Sequence, residues 1–408
     1  MELLHRRGAG LDVHKEEVVA GARVVERGKL EEVTERFGTT TAELLRLGDW
    51  LEGWRVTDVV MEATGVYWKP VWHVLEERFA LVLANAHDVR NRPGRKSDVS
   101  DAAWLAELLA FGLIRASFVP PAPIQQMRDL TRARTQLVHR IGQETLRVQK
   151  VLEDANIKIA GVVTDILGIS GRVILRALIE GETNPERLLA RTTGRLKAPR
   201  ERLLAGLLGR VTDHHRFLLR FHLGQIESDE AFLAEIQAEI ARVLEPFRRQ
   251  FEQLITIPGV SAIVAAILIG EIGVDMGRFP SDGHLVSWAG LCPSMDESAG
   301  RRRSTRIRPG DPWLKTALVQ SAWAAVRVKD THLRSQFLRL RSRRGPKKAI
   351  IAVAASILTA VYHMLTNDLP YHDLGANHLD RLDKTRTARR LVHRLEQLGY
   401  PVNLTAAA

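Results

Sequence analysis

Five apolar residues recur at seven-residue spacing late in the chain: Leu219, Ile226, Leu233, Ile240 and Phe247. That repeat returns to one side of an α-helix every two turns, so the stretch must form a long helix whose apolar seam needs a partner helix. Upstream, from about Ile124 to Ile159, Leu130, Leu137, Ile141, Val148 and Val151 fall near the same period. The two segments are expected to pair as a coiled coil, with each other or across a dimer. Residues 160–215, between them, read as a helical insertion with one turn at Thr183, Asn184 and Pro185.

The chain before this region follows another rhythm. "GLDVHKEEVVAGARVVERGKL" offers two β-rich runs, "TTTAELLRLGDWLEG" a helix, "VTDVVMEATG" a buried strand, "VYWKPVWHVLEERF" a helix and "ALVLANA" a further strand. Such alternation predicts an α/β domain over residues 1–118. Prolines 120, 121 and 123 end regular structure there. A helical, coiled-coil region is expected over 119–250, a mainly helical domain over 251–368 and a tail over 369–408. The apolar run "AIIAVAASILTAVYHML" at 349–365 is short for a membrane span, rich in Ala and interrupted by His363, which favours a buried core helix.

Charge narrows the function. Lys and Arg number 59 against 48 Asp and Glu, a net +11, so a polyanion is the expected partner. The single Cys292 excludes a disulfide framework and any Cys-based zinc site. With no signal-peptide pattern in "MELLHRRGAG", the expected location is cytoplasmic, at the nucleoid, with no membrane partner. Neither a dinucleotide fingerprint nor a P-loop is present. Residues 301–348 hold fifteen Lys or Arg against two Asp, and the cluster Arg301, Arg302, Arg303, Arg306 and Arg308 is denser than an ordinary helix surface, which points to phosphate contact. "LITIPGVSAIVAAILIGEIG" has a Pro-Gly turn between apolar helices, and Gly259 there can either present a backbone N–H to a phosphate or serve a packed helix pair.

Against this basic background four acids stand out. Asp12 lies inside the first strand and Glu62 ends "DVVME", positions where a carboxylate is poorly favoured without a partner. Asp98 and Asp101 sit three apart at the start of a helix, where capping by Asp98 and dipole compensation by Asp101 compete with a functional role. Strand-borne acids and a helical pair can meet at one sheet edge as hard oxygen donors for Mg²⁺ or Mn²⁺. His14 and His87 lie near them in sequence. His214 and His215, adjacent on a helix, face apart, and Trp68, Trp104, Trp288 and Trp313 are expected in packed cores.

In "GLDVHK", "MEATGVYW" and "RKSDVSDAAWLAELL", and again in "IPGVSAIVAAILIGEIG", "RFPSDGHLVSWAGLCPSMDESAG" and "RIRPGDPWLK", the chain resembles the DEDD insertion-sequence transposases. The resemblance implies a RuvC-like, RNase H-fold N-terminal domain whose metal site is Asp12, Glu62, Asp98 and Asp101. It implies a C-terminal transposase domain with Ser298, read here as a loop serine, as nucleophile toward DNA. It also implies a guide RNA pairing with double-stranded donor and target DNA, and a homodimer or tetramer in which the acids of one subunit meet the serine of another. Ala299 and Lys315 depart from the family pattern, which has glycine and arginine there. Two other readings use the same residues: a metal-dependent, structure-selective nuclease with water as nucleophile, and a non-catalytic nucleic-acid scaffold.

Overall fold

The computed structural model describes residues 3–403 apart from 63–64, 86–88, 90–99, 115, 160–162, 164, 193–197, 294–295, 299–300, 305 and 383, and describes 296–298 and 301–303 by their backbone only. The chain divides into two compact units at the Pro120–Pro121 bond.

The first unit is a five-stranded sheet with helices on both faces. Its elements are β1 (Arg7–Val13), β2 (Glu17–Glu26), β3 (Lys29–Gly38), α1 (Thr41–Gly53), β4 (Asp58–Glu62), α2 (Trp68–Leu75), β5 (Ala80–Ala84) and α3 (Asp101–Ala110). The strands lie in the order β3-β2-β1-β4-β5, the first three antiparallel and β1, β4 and β5 parallel. Arg27 and Gly28, both at positive φ, make the tight β2–β3 turn, the geometry whose twist suits a two-residue hairpin. On one face Leu11, Val18, Phe37, Val59 and Met61 pack with Leu44 and Leu47 of α1 and Leu75 of α2. On the other, Val60 and Ala84 pack with Leu105 and Leu109 of α3. Adjacent residues Val59, Val60 and Met61 are all buried because β4 is covered on both sides, which is why it reads as a continuous apolar run.

The sequence reading gave two strands where the structure has three. β3 is an edge strand with most of its residues exposed, so it carries no apolar alternation to betray it.

Among the described residues, the regular structure of the second unit is helical except for one small ribbon. It comprises α4 (Ala122–Asp154), α5 (Ile169–Glu180), α6 (Pro185–Ala190), α7 (Arg200–Leu207), α8 (Asp213–Leu244), α9 (Arg248–Leu254), α10 (Ala262–Ile272), α11 (Asp282–Trp288), β6 (Asp296–Ser298), β7 (Arg301–Ser304), α12 (Pro312–Ala325), α13 (His332–Arg344), α14 (Pro346–Asn367), α15 (His378–Leu382) and α16 (Lys384–Gln397). The helices α4 and α8 run antiparallel within the chain, bridged in succession by Arg140–Asp229, Glu144–His222 at 2.8 Å and Asp154–His215 at 2.9 Å. Leu219 and Ile226 of the seven-residue repeat are buried with Val148, Leu152, Ile174 and Leu178, so the 160–215 segment covers one end of the helix pair. Asn184 caps α6, accepting from Glu186 N–H at 3.0 Å, with Pro185 in its first turn.

Helices α9 to α14 share one core. Apolar α14 lies in its middle, with Val353, Ala354, Ile357, Leu358 and Val361 completely buried and the helix packed against α11, α12 and α13. By length and composition α14 is apolar enough to cross a membrane. Its most apolar side is the one this core encloses.

Candidate active site

The acidic positions are built by strand alternation. Along β1, Ala9, Leu11 and Val13 enter the core beneath α1 and α2, which leaves Gly8, Gly10 and Asp12 on the side of α3. Along β4, Val60 packs with α3 and Glu62, two residues on, shares its side. These strands are parallel neighbours with Leu11 opposite Met61, so Asp12 and Glu62 each follow that pair by one residue.

Helix α3 reaches the same end of the sheet because glycine lets it. Gly10 and Gly21 pair directly across β1 and β2. A Cβ on Gly10 would stand 2.1 Å from Ala102 O and 2.6 Å from Ala106 N, and one on Gly21 would stand 3.0 Å from Ala103 N. Backbone thus rests on backbone, and the first turn of α3 lies over the strand that carries Asp12.

Asp101 is the first residue of this helix, whose cap is Ser100, its Oγ accepting from Ala103 N–H at 3.2 Å. The cap expected of Asp98 therefore belongs to Ser100; Asp98 itself, with His87, lies outside the described residues. Asp12 and Glu62 share one end and one face of the sheet, beneath the helix that Asp101 begins. The Asp12 side chain is 25% exposed, and His14 Nε2 stands 3.2 Å from its Oδ2. Carboxylate oxygens are the donors that Mg²⁺ and Mn²⁺ prefer, so the chemistry of the set fits such an ion. Among the described residues, no three His, Cys, Asp or Glu side chains stand close enough together to hold a metal.

Ser298 was read as a loop residue, and its backbone proves to be a strand. It ends β6, which pairs antiparallel with β7, Ser298 opposite Arg301 and Glu297 opposite Arg302. The ribbon is anchored below by a bridge between Pro293 and Ile307 and by Arg308 N–H donating to Cys292 O at 3.3 Å. There, Gly290 at positive φ would bring a Cβ within 2.7 Å of Arg308 O. Arg301, Arg302 and Arg303 share β7, while Arg306 and Arg308 are exposed just beyond it. Lys315 Nζ donates to Arg308 O at 3.1 Å, which gives that lysine a bracing role. Gly259, at positive φ, would place a Cβ 2.3 Å from Ser321 O of α12, so a side chain there would meet the α12 backbone.

Two family models match the chain. One, a DEDD transposase model of the IS110 group, covers residues 9–157 and with them all four acids. The other, described as Transposase IS116/IS110/IS902 family, covers residues 251–337, including Gly259, Ser298 and the arginine cluster. The chain belongs to the IS116/IS110/IS902 transposase family. A stretch of 120 residues is 31% identical to the 43.6 kDa protein of insertion element IS110 from Streptomyces coelicolor, covering 29% of each chain. A stretch of 143 residues is 31% identical to the 42 kDa protein of insertion element IS900 from Mycobacterium paratuberculosis, covering 34% of this chain and 35% of that one. These alignments span well under two thirds of either relative.

Sequence reasoning missed one charged centre in the family's second matched region. Glu271 of α10 is fully buried, gripped by Arg132 through Nε–Oε1 and Nη2–Oε2 contacts of 2.8 Å each. Arg128 Nε lies 3.3 Å from Glu271 Oε2 and also donates to Gly270 O at 3.0 Å. Arg132 reaches Asp311 at 3.1 Å, and Asp311 caps α12 by accepting from Trp313 N–H at 2.8 Å. Burial pushes the Glu271 carboxyl above the ordinary carboxylate range, an effect that the Arg132 hydrogen bonds oppose. The signal available beforehand was an acid inside "AILIGEI", since a buried acid needs a cation. Of the tryptophans, Trp104 is in the core, whereas Trp288 is 37% exposed and Trp313 lines an open cavity, unlike the packed positions expected for both.

Proposed function

We propose that this chain is an insertion-sequence transposase that cuts and rejoins double-stranded DNA by metal-assisted serine attack. The observation carrying this reading is that Asp12 and Glu62 lie at the C-terminal ends of adjacent parallel strands beneath the start of α3, within the stretch matched by the DEDD transposase model. The order β3-β2-β1-β4-β5, antiparallel then parallel, supports an RNase H-like, RuvC-like fold for this unit. Asp12, Glu62, Asp98 and Asp101 would hold Mg²⁺ or Mn²⁺, which when bound would offset the charge developing on the scissile phosphate.

Ser298 supplies the nucleophile. Its Oγ bonds to phosphorus as the bond to the 3′ oxygen breaks, and the serine proton ends on the released 3′-hydroxyl. The phosphoserine ester keeps the energy of the phosphodiester, so exchange onto another strand needs no ATP, in keeping with a sequence that lacks a P-loop. Arg301, Arg302, Arg303, Arg306 and Arg308 neutralise DNA phosphates beside the serine, with the backbone N–H of Gly259 as a further phosphate contact. A guide RNA and assembly as a homodimer or tetramer complete the reading, on the strength of the family resemblance.

The test incubates the purified chain with Mg²⁺, the end DNA of its element and RNA from the flanking noncoding segment. A protein–DNA adduct mapped to Ser298 is expected, absent from both Ser298→Ala and Asp12→Asn. Metal-dependent nicks without an adduct, unchanged in Ser298→Ala, would replace the transposase with a nuclease that uses water.

A further inference from the structure

A cavity of about 590 Å³ opens between α4, α10 and α12, within the range of small-molecule sites. One wall is apolar, formed by Ile263, Ile267 and the ring of Trp313. Gln136, Gln143 and Gln320 also line it. A planar, apolar-faced group with hydrogen-bonding edges suits that combination, and a nucleobase is such a group. The Trp313 ring is held in place, since Arg132 lies over it at 5.5 Å and is itself fixed by Glu271 and Asp311. A wall set in advance loses little freedom on binding.

Charge in the cavity favours a nucleotide over a neutral ligand. Arg134 lines it and has a buried Nε with no hydrogen-bond partner, a donor awaiting an acceptor. The one acid in the lining, Glu271, is already closed by Arg132. Helix α12 also leads directly from the arginine cluster: Lys315 ties its first turn to the carbonyl of Arg308.

We propose that this cavity takes a single nucleobase turned out of its stack, with the adjoining phosphate against Arg134. The proposal rests on the nucleic-acid reading above and names a contact which that reading does not require. Turning out a base costs a few kcal/mol, which stacking on a fixed wall can offset.

The experiment uses the full chain with a single-stranded 20-mer carrying one photoreactive thymine, as DNA and as RNA of equivalent sequence, and maps crosslinked peptides by mass spectrometry. Crosslinks are expected within 263–267 or 313–320. Thr316→Trp fills the cavity mouth from an exposed position and should abolish them, weakening binding about tenfold. Should that variant fail to fold, Gln136→Ala with Gln320→Ala, both exposed, should weaken the same crosslinks. Crosslinks elsewhere, with affinity unchanged in the variants, overturn the cavity assignment and leave DNA binding standing. A Thr316→Trp chain that binds normally but loses its self-association assigns the cavity to a second copy, which also overturns it. A wild-type chain that binds neither oligonucleotide overturns the nucleic-acid reading itself.

Discussion

Glu271 and Asp12 look alike in the sequence, each a carboxylate set in an apolar run, "AILIGEI" and "GLDV". Their surroundings differ in kind. Glu271 has no exposed surface and lies in the grip of Arg132 and Arg128, cations supplied by another helix of the same unit. Asp12 stands near the end of a strand, 25% exposed, beside a histidine that is itself 57% exposed. An acid closed over by arginines has its charge matched within the fold, whereas an acid at the rim of a sheet can still take a cation from outside. The first holds helices together; the second keeps its charge open to solvent.

The largest effect should come from breaking that contrast at Asp12. Asp12→Asn is expected to lower strand transfer at least about a hundredfold, while urea denaturation shows a change within about 0.5 kcal/mol. A strongly destabilised variant would put Asp12 in the same class as Glu271. Arg132→Met, by contrast, strands a buried carboxylate and should cost about 3 kcal/mol in the urea unfolding free energy. An unchanged midpoint would mean that Glu271 does not depend on this arginine.

Gly10→Ala sharpens the comparison from the backbone side. The new Cβ meets the α3 backbone, which should cost about 2 kcal/mol, and lifting α3 from the sheet should lower strand transfer by displacing Asp101 from Asp12 and Glu62. Activity undiminished in a folded variant would separate Asp101 from the chemistry.

The smallest effect concerns pH in the helical unit. Burial, followed by the nearby His378, holds His332 below the ordinary imidazole range, partly opposed by Asp373. The folded chain therefore binds fewer protons here than the unfolded one. This stabilisation is complete above the ordinary imidazole value and is lost as pH falls through the depressed one. The two rings meet edge to face at 5.3 Å, so acidification should reduce amide-exchange protection in α15, and His332→Phe should remove that dependence.

Much of the architecture was legible because its signals are local. The seven-residue repeat marked α8, continuous apolar runs marked β4 and α14, and Thr183, Asn184 and Pro185 marked the turn before α6. The misses had physical reasons as well. Strand β3 faces solvent and leaves no alternation. Strand β6 is three residues long, too short for a period, so Ser298 read as loop. Trp313 looked like core because its neighbours are apolar, but only the packing of three helices decides whether a ring is covered or lines a cavity.

By itself, the sequence determined the α/β start, the long helices, the basic surface and the order of the acids along the chain. These follow from periodicity and residue chemistry, which act over a few turns or a single strand. Only the tertiary structure decided that α4 and α8 pair within one chain, that Gly10 and Gly21 admit α3 against the sheet, and that Glu271 is closed by Arg132 from 139 residues away. Contacts at that separation depend on which surfaces exclude water together, and no local pattern of residues records the partner.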